Sequence, residues 1–426
     1  MVPDPAAPAL VPPALLSERR RPVKGGHSPV LSAVLSGGLD IAVSMLRSLG
    51  AMTPAARLAA SADLLDRILA GEPAERVLTR WARMSRHAGS GDRAAVRDIV
   101  YSALRRRRSA AWVGGSETGR GLVLGLLRIE GTDPRPLMTG MGHALPPPAP
   151  GEEGLPLAAA PRAVRLDLPD WLLPRFERSL GPATDAVCES LRHRAPVFLR
   201  VNSRRGTRDQ ARAALRRDDI GTEPHPTVPT ALIVVSGARR VDRSEAYRSG
   251  LVELQDASSQ EAVLRLPLHD GMRVLDLCAG GGGKTLAMGA RARLHLHAHD
   301  IDPGRMADLP ARAARAGLAV RPCADPAAAA PYDLVLVDAP CSGSGTWRRT
   351  PEAKWRLSEE RLSALTALQD DLLHQAADLV AEGGDPCLCH LFHPAGRGGR
   401  TGCRLSGASS GLVGARQARS APGRAS

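Results

Sequence analysis

Val274-Leu275-Asp276-Leu277-Cys278-Ala279-Gly280-Gly281-Gly282-Gly283-Lys284-Thr285 joins an apolar run to a glycine turn and then to residues that open a helix. The apolar run predicts a buried strand over 273–277, and a helix starts at 284–291. Glycines let the backbone take positive φ and approach a ligand closely, and in open α/β sheets ligands sit beyond the carboxyl ends of the strands. A glycine turn alone is weak evidence. Residues 280–285 also resemble part of a phosphate loop, but that motif's first glycine is missing at the required spacing, which argues against a nucleotide triphosphatase.

Downstream, strand and helix alternate. Residues 294–299 predict a second strand, 303–316 a helix and 333–337 a third strand, with a long amphipathic helix over 359–379. This order implies a parallel sheet covered on both faces. The second strand ends at Asp300, where a carboxylate is placed to accept from a ribose diol; the alternative is a helix N-cap shared with Asp302. Asp325 follows the segment 319–322, where it would meet an adenine amino group or serve as an ordinary loop carboxylate. The third strand delivers Asp338-Ala339-Pro340-Cys341-Ser342-Gly343-Ser344-Gly345-Thr346. A thiol on a sharp turn beside a cofactor suits conjugate addition to a pyrimidine, or the elimination that undoes it. An apolar strand ending in Asp-x-Pro-Cys is a far more specific signal than the glycines.

Upstream, residues 1–51 are rich in Pro, Ala and Ser, and read as a disordered or non-native extension ahead of a fresh start at Met52. Thr53 and Pro54 form a helix-start signal, and helical periodicity continues to about residue 131. The basic run Arg105, Arg106, Arg107, Arg108 closes its third helix at 94–108, either as an RNA contact or as a solvated helix end. A Pro/Gly-rich linker, 132–164, contains Pro146-Pro147-Pro148. Then 169–180 reads as helix, 197–201 and 231–235 as strands, and 207–217 as a helix capped by Thr207: a small α/β module over 165–262. The chain has 426 residues, enough for two or three domains, and its 57 Lys and Arg against 44 Asp and Glu leave a formal charge of +13. That excess favours a polyanionic partner or reflects solvated basic faces. Seven cysteines, Cys188, Cys278, Cys323, Cys341, Cys387, Cys389 and Cys403, make an odd set without framework spacing, as expected of reduced thiols in a cytoplasm. No apolar run reaches the roughly 18 residues of a membrane span. The expectation is a cytoplasmic, soluble monomer.

Taken together, Asp-Leu-Cys-Ala-Gly-(Gly)-Gly-Gly-Lys-Thr, Asp-Ala-Pro-Cys-Ser-Gly-Ser-Gly-Thr and Arg348-Arg349-x-Pro351-Glu352-x-Lys354-Trp355 resemble signature motifs of the RsmB/NOP (Sun, Fmu) family of RNA cytosine-5 methyltransferases. Leu199-Arg200-Val201-Asn202 and Leu254-Gln255-Asp256-Ala257-Ser258-Ser259-Gln260 extend the likeness, which covers about 52–384. The resemblance implies a multidomain chain: an all-α NusB-like RNA-binding domain at 52–131, a small α/β, RRM-like RNA-binding module at 165–262 and a Rossmann-like methyltransferase domain at 263–384. It also implies S-adenosylmethionine as cofactor, held by Cys278, Ala279, Gly280, Gly281, Gly282, Gly283, Lys284, Asp300, Asp325 and Asp338, and RNA, most simply ribosomal RNA, as partner. Gly281 stands where the family usually has Pro. The implied mechanism uses two cysteines. One, in a later Thr-Cys-Ser motif, attacks carbon 6 of cytosine. The other, here Cys341, helps release the product, with Asp338 at the ring nitrogen and Lys284 near the base.

The attacking cysteine is missing. After Gly384 the chain reads Asp385-Pro386-Cys387-Leu388-Cys389-His390, and beyond Asp385 it has six arginines and no acidic residue. One reading is a disordered basic tail over 385–426. A shifted frame explains more. Back-translated with codons chosen from those each residue allows and read one nucleotide later, residues 384–399 become Ala-Thr-Leu-Ala-Tyr-Val-Thr-Cys-Ser-Ile-Leu-Pro-Ala-Glu-Glu, a strand running into the missing motif. Cys387, Cys389 and His390 lack the second ligand pair of a zinc site, so no metal is expected. Three functional readings follow: an RNA methyltransferase by ancestry with its nucleophile lost, an enzyme using Cys341 as nucleophile as DNA cytosine-5 methyltransferases use their Pro-Cys thiol, or a pseudoenzyme that binds RNA and the cofactor.

Overall fold

The computed structural model describes residues 52–388 and 404–405; the expectations for 1–51 and for most of 385–426 lie outside the described residues. Five helices follow the start at Thr53: α1 (Pro54–Leu69), α2 (Ala74–Met84), α3 (Ser90–Arg105), α4 (Arg107–Gly114) and α5 (Gly119–Ile129). The Thr53 hydroxyl accepts from the Ala56 amide at 3.2 Å, capping a helix whose Leu58, Ala62, Leu65 and Ile68 are buried in one core. The third helix expected at 94–108 is instead two, because the chain leaves helical geometry at Arg106. Segment 132–164 is folded back onto these helices. Met138 is buried in their core, and Arg120 and Arg128 donate to the carbonyls of Pro146, Pro147, Glu152 and Glu153.

Three short helices, α6 (Arg162–Arg165), α7 (Leu173–Leu180) and α8 (Thr184–Leu191), lead to the small module. It runs β1 (Val197–Val201), α9 (Arg208–Arg217), β2 (Thr222–Pro224), β3 (Ala231–Val234), α10 (Glu245–Arg248) and β4 (Val252–Leu254), an order β-α-β-β-α-β. Its sheet is antiparallel with strand order β2-β3-β1-β4. Thr207 and Gln210 form the reciprocal cap of α9.

Helix α11 (Ala257–Leu264) leads into the large sheet, built from β5 (Arg273–Asp276), α12 (Gly283–Arg291), β6 (His295–Ala298), α13 (Leu309–Ala316), β7 (Val320–Pro322), β8 (Tyr332–Val337), α14 (Glu352–Arg356), α15 (Glu359–Leu379), β9 (Val380–Leu388) and β10 (Arg404–Leu405). The strand order is β10-β9-β8-β5-β6-β7. Pairs from β9 to β7 are parallel, and β10 is antiparallel to β9. The strands β5 and β8 at its centre are buried almost throughout, as a sheet covered on both faces requires. Strand β9 continues to Leu388, into the segment expected to be tail. Its register slips between Tyr332 and Leu334, so that Val380 and Asp385 pair with these two residues. Backbone groups along the edge of β8 call for partners whatever the side chains opposite.

Most of the basic run is tied into the fold rather than free at a solvated helix end. Arg105 is buried and donates to the Arg348 carbonyl at 3.2 Å; Arg107 pairs with Glu117 at 2.7 Å; Arg108 donates to the Leu168 carbonyl and to Asp170, both at 2.7 Å. From the other side, Lys354 donates to the Asp167 carbonyl at 2.6 Å and sits 4.3 Å from the Trp355 ring centre. The Trp355 indole donates to the Leu104 carbonyl at 2.7 Å. The Arg348–Trp355 motif therefore bolts the helical domain to the large-sheet domain. Asp167 anchors the joint: fully buried at φ 52°, it accepts from the Ser109 amide and hydroxyl and from Arg192.

Burial pushes the Lys354 ammonium down to about 8. Between pH 8 and the ordinary lysine range the unfolded chain holds the proton that the fold has released, so stability rises with pH through that window. We expect Lys354→Ala to cost about 3 kcal/mol, from a cavity and carbonyls left without donors. In paired urea titrations the gap to wild type should widen from pH 8 to pH 10. A gap under about 0.5 kcal/mol, or one that narrows with pH, would contradict this.

Candidate active site

Three strand ends converge. At β5 the chain turns through Leu277, Cys278, Ala279 and the four glycines into α12. Gly282, at φ 78°, is the residue on which the turn depends, because a Cβ there would lie 2.2 Å from the Leu309 side chain. Gly281 is not at positive φ, so its position does not itself call for glycine; its carbonyl accepts from Arg312. The neighbouring strand end is laced to the turn. The His299 amide donates to the Asp276 carbonyl at 2.9 Å, and the Ala279 amide to the His299 carbonyl at 2.8 Å.

Asp300 is 3% exposed and accepts from the Gly280 amide at 2.9 Å and the Asp302 amide at 3.1 Å, with Arg305 3.0 Å away. The N-cap is Asp302, which accepts from Gly304. Asp300 is therefore a clamp on the glycine turn. Next to it Ile301 stands 93% exposed, an apolar side chain held in the open beside the turn. Asp325 follows β7 and is exposed; one oxygen accepts from the Ala327 amide at 2.9 Å, as a loop carboxylate does.

At the end of β8, Asp338 meets Lys284, the second residue of α12, at 2.5 Å. Lys284 is largely buried and Asp338 about one-third exposed. The Pro-Cys turn is fixed from behind by the buried Gln369 of α15, which donates to the Pro340 carbonyl at 2.7 Å. Burial pushes the Cys341 thiol up, and the Asp338 charge adds to this against the Gly343 amide and Lys284. The thiol therefore rests protonated at neutral pH. Cys278 is pushed up to about 12, chiefly by burial. Asp276 is held up at about 6 by burial against its bond from the Thr285 hydroxyl at 2.6 Å, and its other oxygen is buried without a partner among the described residues.

The residues expected from the sequence thus lie at one end of one sheet. Sequence reading passed over Gln369, Ile301, Glu253 and Arg312, and took Arg200 only as part of a motif. A charged residue inside the apolar strand 197–201 was the one available signal. No group of three or more metal-ligating side chains occurs among the described residues, nor any helix long and apolar enough to cross a membrane.

A parallel sheet with a glycine turn, an acidic second strand end and an Asp-x-Pro-Cys third one defines a Rossmann-like methyltransferase domain. Residues 263–389 match the model of the 16S rRNA methyltransferase RsmB/F domain, and 168–242 that of the ferredoxin-like domain of RsmF/B-like methyltransferases. Over those residues the chain is similar to the RsmB/F methyltransferases, whose methyl donor is S-adenosylmethionine. It is 32% identical over 224 residues, 51% of its length, to ribosomal RNA small subunit methyltransferase B of Yersinia pestis bv. Antiqua (strain Angola), covering 52% of that protein. The same figures hold for the protein of that name from Yersinia pseudotuberculosis serotype O:1b (strain IP 31758). The chain spans about half the length of the curated relatives it matches. The solved structure of PH0851 superposes over 80% of this chain and 87% of its own, with TM-score 0.59 and 22% identity, a likeness of fold.

Proposed function

We propose that this chain descends from an RNA cytosine-5 methyltransferase acting on ribosomal RNA, keeps its S-adenosylmethionine site and has lost its attacking thiol. The observation that carries the reading is the Lys284–Asp338 pair at 2.5 Å, which joins the glycine turn to the Pro-Cys strand end. The residues fit the donor. An orphaned carboxylate oxygen on Asp276, a turn without side chains and an exposed Ile301 are what a buried amino acid moiety and a stacked adenine would complete. Cys278, Ala279, Gly280, Gly281, Gly282 and Gly283 would line that moiety. Asp300 would accept from the ribose diol, and Asp325, through its second oxygen, from the adenine amino group. The bound donor supplies an electrophilic methyl group.

The chain's own part is to prepare the base. Asp338 would hold the cytosine ring nitrogen through a proton shared between the two acceptors, with Lys284 orienting the Asp338 side chain beside the ring. Carbon 5 of cytosine becomes nucleophilic only when a thiolate adds to carbon 6. Cys341 rests as a thiol, which suits proton handling at product release rather than attack. The lost attacking thiol would have stood in the stretch beyond Leu388, outside the described residues. The NusB-like helical domain and the RRM-like module would bind the RNA, with the chain a cytoplasmic monomer.

Trapping tests the reading. The chain incubated with ribosomal RNA containing 5-fluorocytosine and S-adenosylmethionine should form no covalent adduct, yet should bind that RNA with a steep salt dependence. An adduct abolished by Cys341→Ala would make Cys341 the nucleophile and overturn it.

A further inference from the structure

Arg200 lies on β1 between Leu199 and Val201, is 4% exposed and belongs to the small module. Its guanidinium leaves that module, donating to the Gly283 carbonyl at 2.9 Å and to the Gln255 side chain at 2.7 Å. Gly283 is the first residue of α12, at the exit of the glycine turn. A second grip comes from β4. Glu253, also buried, lies 3.5 Å from Arg312 and 3.0 Å from Arg315, and Arg312 donates to the Gly281 carbonyl. Two carbonyls of the turn are thus held by guanidiniums that the small module supplies or orients. The two units cannot slide past each other. Asn202 donates to the Gly250 and Ala316 carbonyls at 3.2 and 2.9 Å, and a Cβ at Gly250 (φ 73°) would lie 2.0 Å from the Arg315 carbonyl.

A buried guanidinium costs desolvation that carbonyl contacts offset only in part. Burial pulls the Arg200 guanidinium down to about 10. An apolar residue would fill such a position at no such cost, so the charge is kept for what it holds.

We infer that Arg200 is a positioning residue for the methyl-donor site: the small module braces the glycine turn through Arg200 and, in parallel, through Glu253 and Arg312. The inference rests on the donor-site reading above. In calorimetric titrations of the full chain with S-adenosylmethionine, Arg200→Met should weaken binding at least about tenfold, one lost charge-assisted bond. Arg200→Lys, a single-point donor, should fall between. Binding to ribosomal RNA should change less than about twofold, since no phosphate contact is removed. A folded Arg200→Met chain with a lowered melting temperature but wild-type donor affinity would assign Arg200 a structural role only and overturn the inference. Should that variant not fold, Arg312→Met removes the second grip and must show the same loss. If the wild-type chain takes up no donor, the donor-site reading itself fails; unchanged affinity in folded variants of a wild type that binds defeats only the brace.

Discussion

A chain carrying Ala-Thr-Leu-Ala-Tyr-Val-Thr-Cys-Ser-Ile-Leu-Pro-Ala-Glu-Glu from position 384 onward should transfer methyl groups to ribosomal RNA at least about a thousandfold faster than the chain as it stands. Loss of a covalent nucleophile costs on that order or more. The described part of the sheet gives the physical reason. Leu388, the last residue of β9, pairs with Val337, the residue before Asp338, in parallel register. In the shifted frame the cysteine falls at position 391, three residues further on. Neighbouring parallel strands end side by side, so a thiol just past β9 and the Asp338–Cys341 turn just past β8 would serve one base. Transfer of labelled methyl from S-adenosylmethionine into rRNA fragments measures the ratio. Equal rates in the two chains would mean that this site never depended on the lost motif.

The second large effect concerns Asp300. Asp300→Ala should weaken S-adenosylmethionine binding at least about a hundredfold, through two charge-assisted bonds at roughly 1.5–3 kcal/mol each: the acceptor of the ribose diol and the clamp on the Gly280 amide. Asp300→Asn keeps one acceptor and should lose about tenfold. The released Arg305 is half-exposed and rehydrates, so the variant should fold. Donor affinity within threefold of wild type in Asp300→Ala would remove Asp300 from the site.

What could be read from the chain, and what could not, separates along the range of the interaction. Strand β1 and helix α15 fall at the residues periodicity predicts, 197–201 and 359–379, and Thr53 and Thr207 cap as their local sequence says, because these features depend on neighbours a few residues away. Asp300 was legible as a carboxylate at a strand end but its clamp on Gly280 was not, since a backbone amide 20 positions earlier has no sequence signature. The partners of the basic run were the least legible. Charge predicts exposure only when no partner waits in the fold, and the partners of Arg105 and Arg108 are carbonyls 243 and 60 residues away. Arg200 was hidden for the same reason. Strand β9 was missed because the Gly383-Gly384-Asp385-Pro386 stretch argues against a strand, whereas the edge of β8 supplies pairing that propensity cannot foresee.

The central claim is a donor pocket retained in a chain without its attacking thiol, and a calorimetric titration of the unaltered protein with S-adenosylmethionine tests it most directly. The account predicts saturable binding of one donor per chain with a dissociation constant on the order of 1–100 μM, in the absence of RNA. No heat of binding from a folded chain, up to about ten times the upper end of that range, would contradict it.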